Sequence, residues 1–417
     1  MHIMHNHQLY IPKKPTIYFV CYHYPFDRSP SLQNLVNDLI SAYTVTVFGD
    51  HRFVKGLPKH ISENTKISES RVVKNENKRQ KNNLLINRLK HILPNQIIKL
   101  LTEEWNMLKA YFLYLPIFCD DLRKKSYSDI TIVAEKGSLF AALLSGKVPN
   151  IYYSLEVSPF IEEPSILFKG LHIIEYLYIK IKNPYVISQS ETRINLLQKN
   201  KDRQIIIPVT SNGDMLPKKN YLRENLGIGH DKKILLMAGG LGEDQLTLDI
   251  LTQVKYWSDH YVIVLHSASG RYSNNVYFVA NQIENKGRIF LSKNCLTIGE
   301  AEELIYSSAD IGIVLYKDLG FNYRYTAFSS GKLAAFLRSG VPVIVPNYDE
   351  FNKLLNKYRF GESSSIADIQ KKINDILNSY DKYENAAYRA YNCIYKYSNY
   401  SGDVATVINK KILHICC

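Results

Sequence analysis

Four consecutive residues, Ser329-Ser330-Gly331-Lys332, carry the strongest chemical signal in the chain. They stand at the head of an apolar helical segment, Leu333 to Arg338, which Gly340 stops and Pro342 bars from continuing. The first turn of a helix has backbone N–H groups without helical acceptors, and the helix dipole is positive there. Two hydroxyls, a residue with no side chain and a mobile ammonium complete a place that suits a phosphate or diphosphate. An ordinary solvated helix lysine is the plainer account of Lys332; the Ser-Ser-Gly ahead of it favours phosphate contact. On the loop just before lie Asn322, Tyr323, Arg324 and Tyr325. From there Arg324 can grip a diphosphate with the two-pronged geometry of a guanidinium.

Such residues need a scaffold that brings them to one edge. Ile311–Leu315 and Val341–Val345 are apolar, β-branched runs that read as buried parallel strands on either side of the turn. The same alternation runs through the chain. Strands are expected over Thr16–Tyr22, Tyr43–Phe48, Ile130–Ala134, Asn150–Ser154, Tyr185–Ser188 and Gln204–Val209. Helices are expected over Ser31–Ser41, around Ser138–Ser145, and over Ile166–Lys182 and Ser190–Lys199. A loop-like stretch from Thr210 to Asp231, with Asn212-Gly213 and Pro217, is the best hinge. Beyond it come strands Lys233–Ala238, Tyr261–His266 and Arg288–Leu291, with helices Leu246–Tyr256, Asn275–Asn285 and Ile298–Ser307, then a helical region Ile366–Tyr400. This is an α/β chain, and 417 residues suffice for two doubly wound domains. In open sheets of this kind ligands bind beyond the carboxyl ends of the strands. That rule selects Gly239 and Gly240 after one strand, His266 and Ser292 at the ends of the next two, and Glu135 and Glu156 in the first half. Each also has a plainer account: a tight turn for Gly239-Gly240, a capped strand-end histidine, a surface or capping glutamate.

Composition narrows the partners. The chain carries a net charge of +13, and residues 51–130 alone hold an excess of roughly +8. There the basic residues interleave with apolar ones at helical spacing, from Leu84 to Phe118 around a break at Pro94. This stretch reads either as a basic amphipathic surface for anionic lipid or as two ordinary helices with lysines facing water. The longest apolar run, Tyr111 to Cys119, is too short to span a bilayer. The 31 tyrosines offer stacking surfaces, yet no nucleic-acid motif or arginine cluster accompanies them, so nucleic acid is not an expected partner. Six scattered cysteines without a CxxC pair indicate reduced thiols and a cytoplasmic protein. The polar start Met1–Gln8 does not read as a signal peptide, and its His2, His5 and His7 read as a frayed tail.

The order SADIG, polar loop, SSGKL, FL, SG, PVIV resembles the donor-binding segment of nucleotide-sugar glycosyltransferases with the GT-B fold. Family 4 and its bacterial cell-surface polysaccharide branches are the nearest likeness. IYYSLEVSP near the middle and ILLMAGGLGED at the start of the second half fall in the expected order. The resemblance implies two Rossmann-like domains facing each other across a cleft. Residues 1–210 would form an acceptor-binding domain with a basic insert at about 51–125, and residues 211–385 the donor-binding domain. Residues 386–417 would be a helical region crossing back to the first.

It further implies transfer of a sugar from a nucleoside diphosphate sugar to a hydroxyl of a lipid-linked or polysaccharide acceptor. Family 4 membership makes the reaction retaining, within O-antigen or capsule synthesis, on a protein peripheral to the inner face of the plasma membrane. Gly239, Gly240, His266, Ser292, Tyr325, Ser329, Ser330, Gly331 and Lys332 would bind the donor, and Lys332 and Arg324 would neutralise its leaving diphosphate. Glu156 would orient the acceptor hydroxyl or donor sugar, or act as general base in an inverting displacement. His23, Arg28 and Glu135 would contact the acceptor. No metal cluster is evident and no cofactor is expected beyond the sugar nucleotide as substrate. Two departures stand out. Relatives place a basic pair after the glycine turn, where this chain has Gly242-Glu243-Asp244, and two glutamates eight positions apart, where it has Ala327 and Ala335. The missing glutamates leave a second reading open, a catalytically inactive GT-B protein that binds a sugar nucleotide or a partner.

Overall fold

The computed structural model describes residues 14–414 apart from 23–25, 27–28, 51–58, 71–113, 126–127, 164 and 268–269. His23, Arg28 and the amphipathic stretch as far as residue 113 therefore lie outside the described residues. Among the described residues no helix is long and apolar enough to cross a membrane.

Two parallel sheets organise the chain. The first contains β1 (Thr16–Cys21), β2 (Thr44–Asp50), β3 (Lys66–Ser70), β4 (Ile130–Ala134), β5 (Ile151–Tyr153), β6 (Tyr185–Ser188) and β7 (Gln204–Ile206), in the order β3-β2-β1-β4-β5-β6-β7. The second contains β8 (Lys233–Ala238), β9 (Tyr261–His266), β10 (Ile289–Ser292), β11 (Ile311–Ile313), β12 (Val343–Pro346) and β13 (Gly361–Ser364), in the order β10-β9-β8-β11-β12-β13. Strands such as ITIVA and KILLMA are apolar on both faces because helices cover both sides. In β8 the two faces separate by alternation. Ile234, Leu236 and Ala238 enter one core while Leu235 and Met237 enter the other.

In each sheet the order reverses once, between β1 and β4 and between β8 and β11. Chains leaving the carboxyl ends at such a point diverge and open a crevice. In the second sheet the divergent segments are the Gly239-Gly240 turn after β8 and the loop after β11, two of the places selected from sequence. Register adds a third. Ala238 pairs with His266, and His266 with Ser292, so the ends of β8, β9 and β10 form one row.

The helix behind the diphosphate signal, Gly331–Arg338, is seated by close packing. A Cβ on Gly312 of β11 would lie 2.7 Å from the Phe336 ring, so only glycine lets the helix approach this strand so closely. The helix begins two residues earlier than its apolar pattern suggests, because Ser330 caps it and accepts a hydrogen bond from Leu333 N. Other differences share that character. The edge strand β13, GESS, has no apolar run to announce it. The expected helix Leu246–Tyr256 is two short pieces, Thr247–Leu251 and Val254–Tyr256. Lys59–Asn64 and β3 are regular elements inside the stretch read as an insert.

By compactness the chain divides into two units. One comprises residues 1–27, 35–153 and 402–417, the other residues 28–34 and 154–401. In the first, Tyr43 donates its hydroxyl to Asn409 Oδ1 at 2.6 Å and Asp38 Oδ2 accepts from Gly402 N at 2.8 Å, which ties the C-terminal segment to β2 and the helix Pro30–Leu39 before it.

Candidate active site

Lys332 lies in the first turn of the Gly331–Arg338 helix, and its side chain folds back over the Tyr316 ring, 4.7 Å from the centroid. Its ammonium donates to Gln245 Oε1. Gln245 belongs to the turn after Gly239-Gly240, so this bond brings together two segments that the sequence nominated separately. Gly239 has φ +94°, a left-handed conformation that favours glycine, and a Cβ on Gly240 would lie 2.7 Å from Gln245 Nε2. Burial lowers the Lys332 pKa from the ordinary lysine range to about 7, and the Asp244 carboxylate opposes part of that fall. The ammonium is thus largely desolvated and stands beside backbone amides at a helix start. A dianion arriving there would restore the favourable field that burial removed.

The hydroxyls flanking Lys332 already have partners. Ser330 Oγ caps the helix and meets the Tyr316 hydroxyl at 2.8 Å. Ser329 Oγ lies 3.2 Å from Thr326 Oγ1. What this turn offers a ligand is therefore chiefly backbone N–H, with the serines shaping it.

Arg324 sits in different surroundings. It is exposed, donates to Glu162 Oε1 at 3.0 Å and approaches Asp318 Oδ1 at 3.4 Å. Glu162 Oε2 also accepts from Phe321 N at 2.5 Å. Gly320 makes room for this, since a Cβ there would lie 2.6 Å from Glu162 Oε2 and the residue has φ +115°. Beneath the loop, Arg193 is 2% exposed and donates to Tyr325 O at 2.8 Å, Asn322 O at 3.0 Å and Leu155 O at 2.9 Å. One buried guanidinium thus fixes both ends of the Asn322–Tyr325 segment and the residue before Glu156. Its charge is answered by Glu350, which accepts from Ala327 N at 3.1 Å. Burial pushes the Glu350 carboxyl up, with Arg193 opposing.

Glu156 is exposed. Burial, then the Asp244 and Glu156 carboxylates, raise the Tyr323 hydroxyl, which places Glu156 in the electrostatic neighbourhood of the Gly240–Gln245 turn. His266 Nδ1 lies 3.1 Å from Ser292 Oγ, and burial lowers its pKa, so the imidazole is neutral at pH 7. Tyr272 donates its hydroxyl toward Leu265 O at 2.8 Å beside the same strand ends. Glu135 belongs to the first unit, where it opens the helix Glu135–Leu144 with φ 70°, an uncommon conformation for a residue with a side chain. Among the described residues no group of three His, Cys, Asp or Glu is placed to hold a metal ion.

The structure therefore gathers Gly239, Gly240, Gln245, Tyr316, Ser330, Gly331 and Lys332 at one place, with Arg324, Tyr325 and Glu156 on adjoining segments and His266 and Ser292 along the same strand edge. Gln245, Glu162, Arg193, Tyr316 and Glu350 were not legible as site residues. Only Gln245, two residues beyond the Gly242-Glu243 turn, carried a local hint. Ala327 and Ala335, where the resemblance leads one to expect carboxylates, are buried at 0% and 2% exposure.

No protein-family model and no curated protein sequence matches the chain. Solved structures do. Sucrose-phosphate synthase from Thermosynechococcus elongatus matches with a TM-score of 0.68 at 11% identity, over 96% of this chain and 100% of that one. Anabaena HepE in complex with UDP-glucose matches with a TM-score of 0.65 at 10% identity, over 94% and 99%. WaaG, a glycosyltransferase involved in lipopolysaccharide biosynthesis, matches with a TM-score of 0.55 at 12% identity, over 94% and 99%. At such identities the shared property is architecture, and the architecture of this chain is the GT-B fold.

Proposed function

We propose that the protein is a glycosyltransferase that moves a sugar from a nucleoside diphosphate sugar to an acceptor hydroxyl. The observation that carries this reading is the Lys332–Gln245 contact, which joins a helix N-terminus and a glycine turn at the switch point of a GT-B donor sheet. In the reaction the bond from the anomeric carbon to the diphosphate oxygen breaks and a bond to the acceptor oxygen forms. Binding concentrated on the diphosphate stabilises the charge that develops there. Lys332, the Ser330 and Gly331 amides, Gly239-Gly240 and Arg324 supply it, since Ser329 N already donates to Thr326 O at 3.0 Å, and the reading calls for no cofactor besides the substrate.

A retaining course fits this set, with the leaving diphosphate taking the acceptor proton on the face it leaves; Glu156 orients the acceptor. Tyr325, His266 and Ser292 complete the donor site, and the acceptor contacts of His23, Arg28 and Glu135 expected from the sequence stay part of the proposal. The net charge of +13 supports an acceptor on an anionic carrier, a lipid-linked or polysaccharide chain of surface polysaccharide synthesis at a membrane face. The bound UDP-glucose in HepE and the pathway of WaaG lend this general support.

A second reading rests on Ala327 and Ala335. With both carboxylates replaced by buried methyl groups, the protein binds a sugar nucleotide without turning it over. Thermal shift and calorimetry against UDP, GDP, CMP, dTDP and their sugars decide between them. Tight binding of one nucleotide followed by sugar transfer supports the transferase. Binding without transfer or hydrolysis supports the inactive binder of a sugar nucleotide, and no binding at all removes the transferase and leaves an inactive GT-B protein that binds a partner.

A further inference from the structure

The helix Ile166–Lys182 carries apolar side chains on both its buried and its outward side, yet only one face of it is covered. Leu171, Glu175, Tyr178 and Ile179 are buried. On the other side Ile166, Ile173, Leu177 and Ile181 are 89%, 48%, 46% and 71% exposed, and Tyr176 is 55% exposed. Their spacing of seven, three, one and four residues keeps them on a single stripe about 22 Å long. Just ahead of the helix Phe160 and Ile161 extend the patch, at 45% and 85% exposed. Soluble surfaces rarely leave so much contiguous apolar area to water, so this stripe calls for a partner.

The charges of the stripe identify the partner. Two lysines border it: Lys169, with its ammonium 5.9 Å from the Phe160 ring, and Lys180, 5.7 Å from the Tyr176 ring, while Glu162 beside Ile161 is paired with Arg324. The acid of the helix, Glu175, is buried on the opposite face, and Glu163 is buried with its carboxylate on His172. A second copy of this chain seated symmetrically on the stripe would oppose lysine to lysine, which disfavours it. An anionic bilayer complements it. The apolar side chains enter the acyl boundary, the aromatic rings lie at the headgroup level, and the lysines extend to the phosphates.

We propose that this helix, together with Phe160 and Ile161, is a membrane-docking surface selective for anionic lipid. The proposal stands on the exposed helix alone and does not need the transferase reading, which nucleotide binding tests separately.

The test is flotation of the full-length protein with phosphatidylglycerol–phosphatidylcholine vesicles and with pure phosphatidylcholine vesicles. The expected result is binding to the anionic vesicles only, weakened by salt. The double substitution Ile173→Glu/Leu177→Glu should lower partitioning more than about ten-fold, and Lys169→Gln or Lys180→Gln about five-fold each. Thermal melting and solution binding of a nucleoside diphosphate by the same variants report whether they fold. Three results would overturn the proposal: no vesicle binding by the parent protein, unchanged binding by the folded double variant, or a dimer of the parent that the double variant dissolves. The second would assign docking to another segment, including residues 84–113, and the third would make the stripe a self-interface.

Discussion

Two cations were nominated for the same diphosphate, and the structure holds them in opposite conditions. Lys332 is half-buried, contacts a neutral amide and an aromatic ring, and has its pKa lowered to about 7. Arg324 is exposed and held by two carboxylates. A desolvated lysine without an anionic hydrogen-bond partner is held at an electrostatic cost that a bound dianion relieves. A solvated arginine already paired with acids gains much less, because phosphate only replaces one set of partners by another. The lysine region should therefore provide affinity, and the arginine loop should adjust it.

Lys332→Ala is the harshest test of that contrast. Calorimetry should show nucleoside diphosphate affinity falling about a hundred-fold, roughly 3 kcal/mol, the upper range for a hydrogen bond to a charged group. A loss smaller than that caused by Arg324→Gln would reverse the comparison.

The pH dependence comes next, with a sign that separates the two regions. A bound dianion raises the Lys332 pKa, so binding takes up a proton, and affinity should fall by up to about ten-fold per unit as pH rises above 7. In the unliganded protein the direction is opposite. The folded pKa of about 7 lies below the unfolded lysine value, so from pH 7 to about 10 the unfolded state binds more protons and this group's contribution to stability rises with pH. Thermal melts without ligand and calorimetry with it should therefore trend in opposite directions, and both trends should vanish in Lys332→Ala. Arginine remains charged throughout and contributes neither.

The smallest effects lie in the loop. Arg324→Gln should weaken diphosphate binding about ten-fold, the size of one charged hydrogen bond. Glu162→Gln leaves the shape of the latch but removes its charge, and should tighten binding about three-fold by freeing the guanidinium. Weakening by Glu162→Gln would mean that Glu162 orients Arg324 instead of competing for it.

What was legible in the sequence follows the same division. The strands Lys233–Ala238 and Tyr261–His266 and the helix Ile166–Lys182 could be bounded from apolar runs alone, because burial on both faces or one leaves a local pattern. The Ser329–Lys332 turn was legible because its residue types stand together. The latch and the support beneath it were not. Glu162 and Arg324 are 162 residues apart, and Lys332 and Gln245 87. The serines were assigned to a ligand because sequence cannot reveal that Tyr316 and Leu333 N already engage Ser330.

Arg193 has a consequence for how the protein is made. It reaches Tyr325 O across 132 residues of chain. At ordinary rates of synthesis the loop that answers it leaves the ribosome roughly 7–26 s later. Through that interval the guanidinium has no access to those carbonyls and cannot settle into its final burial. The Arg324 loop therefore acquires its shape late, and a chain cut short before it would leave the Arg193 guanidinium in water, short of two of the carbonyls that bury it.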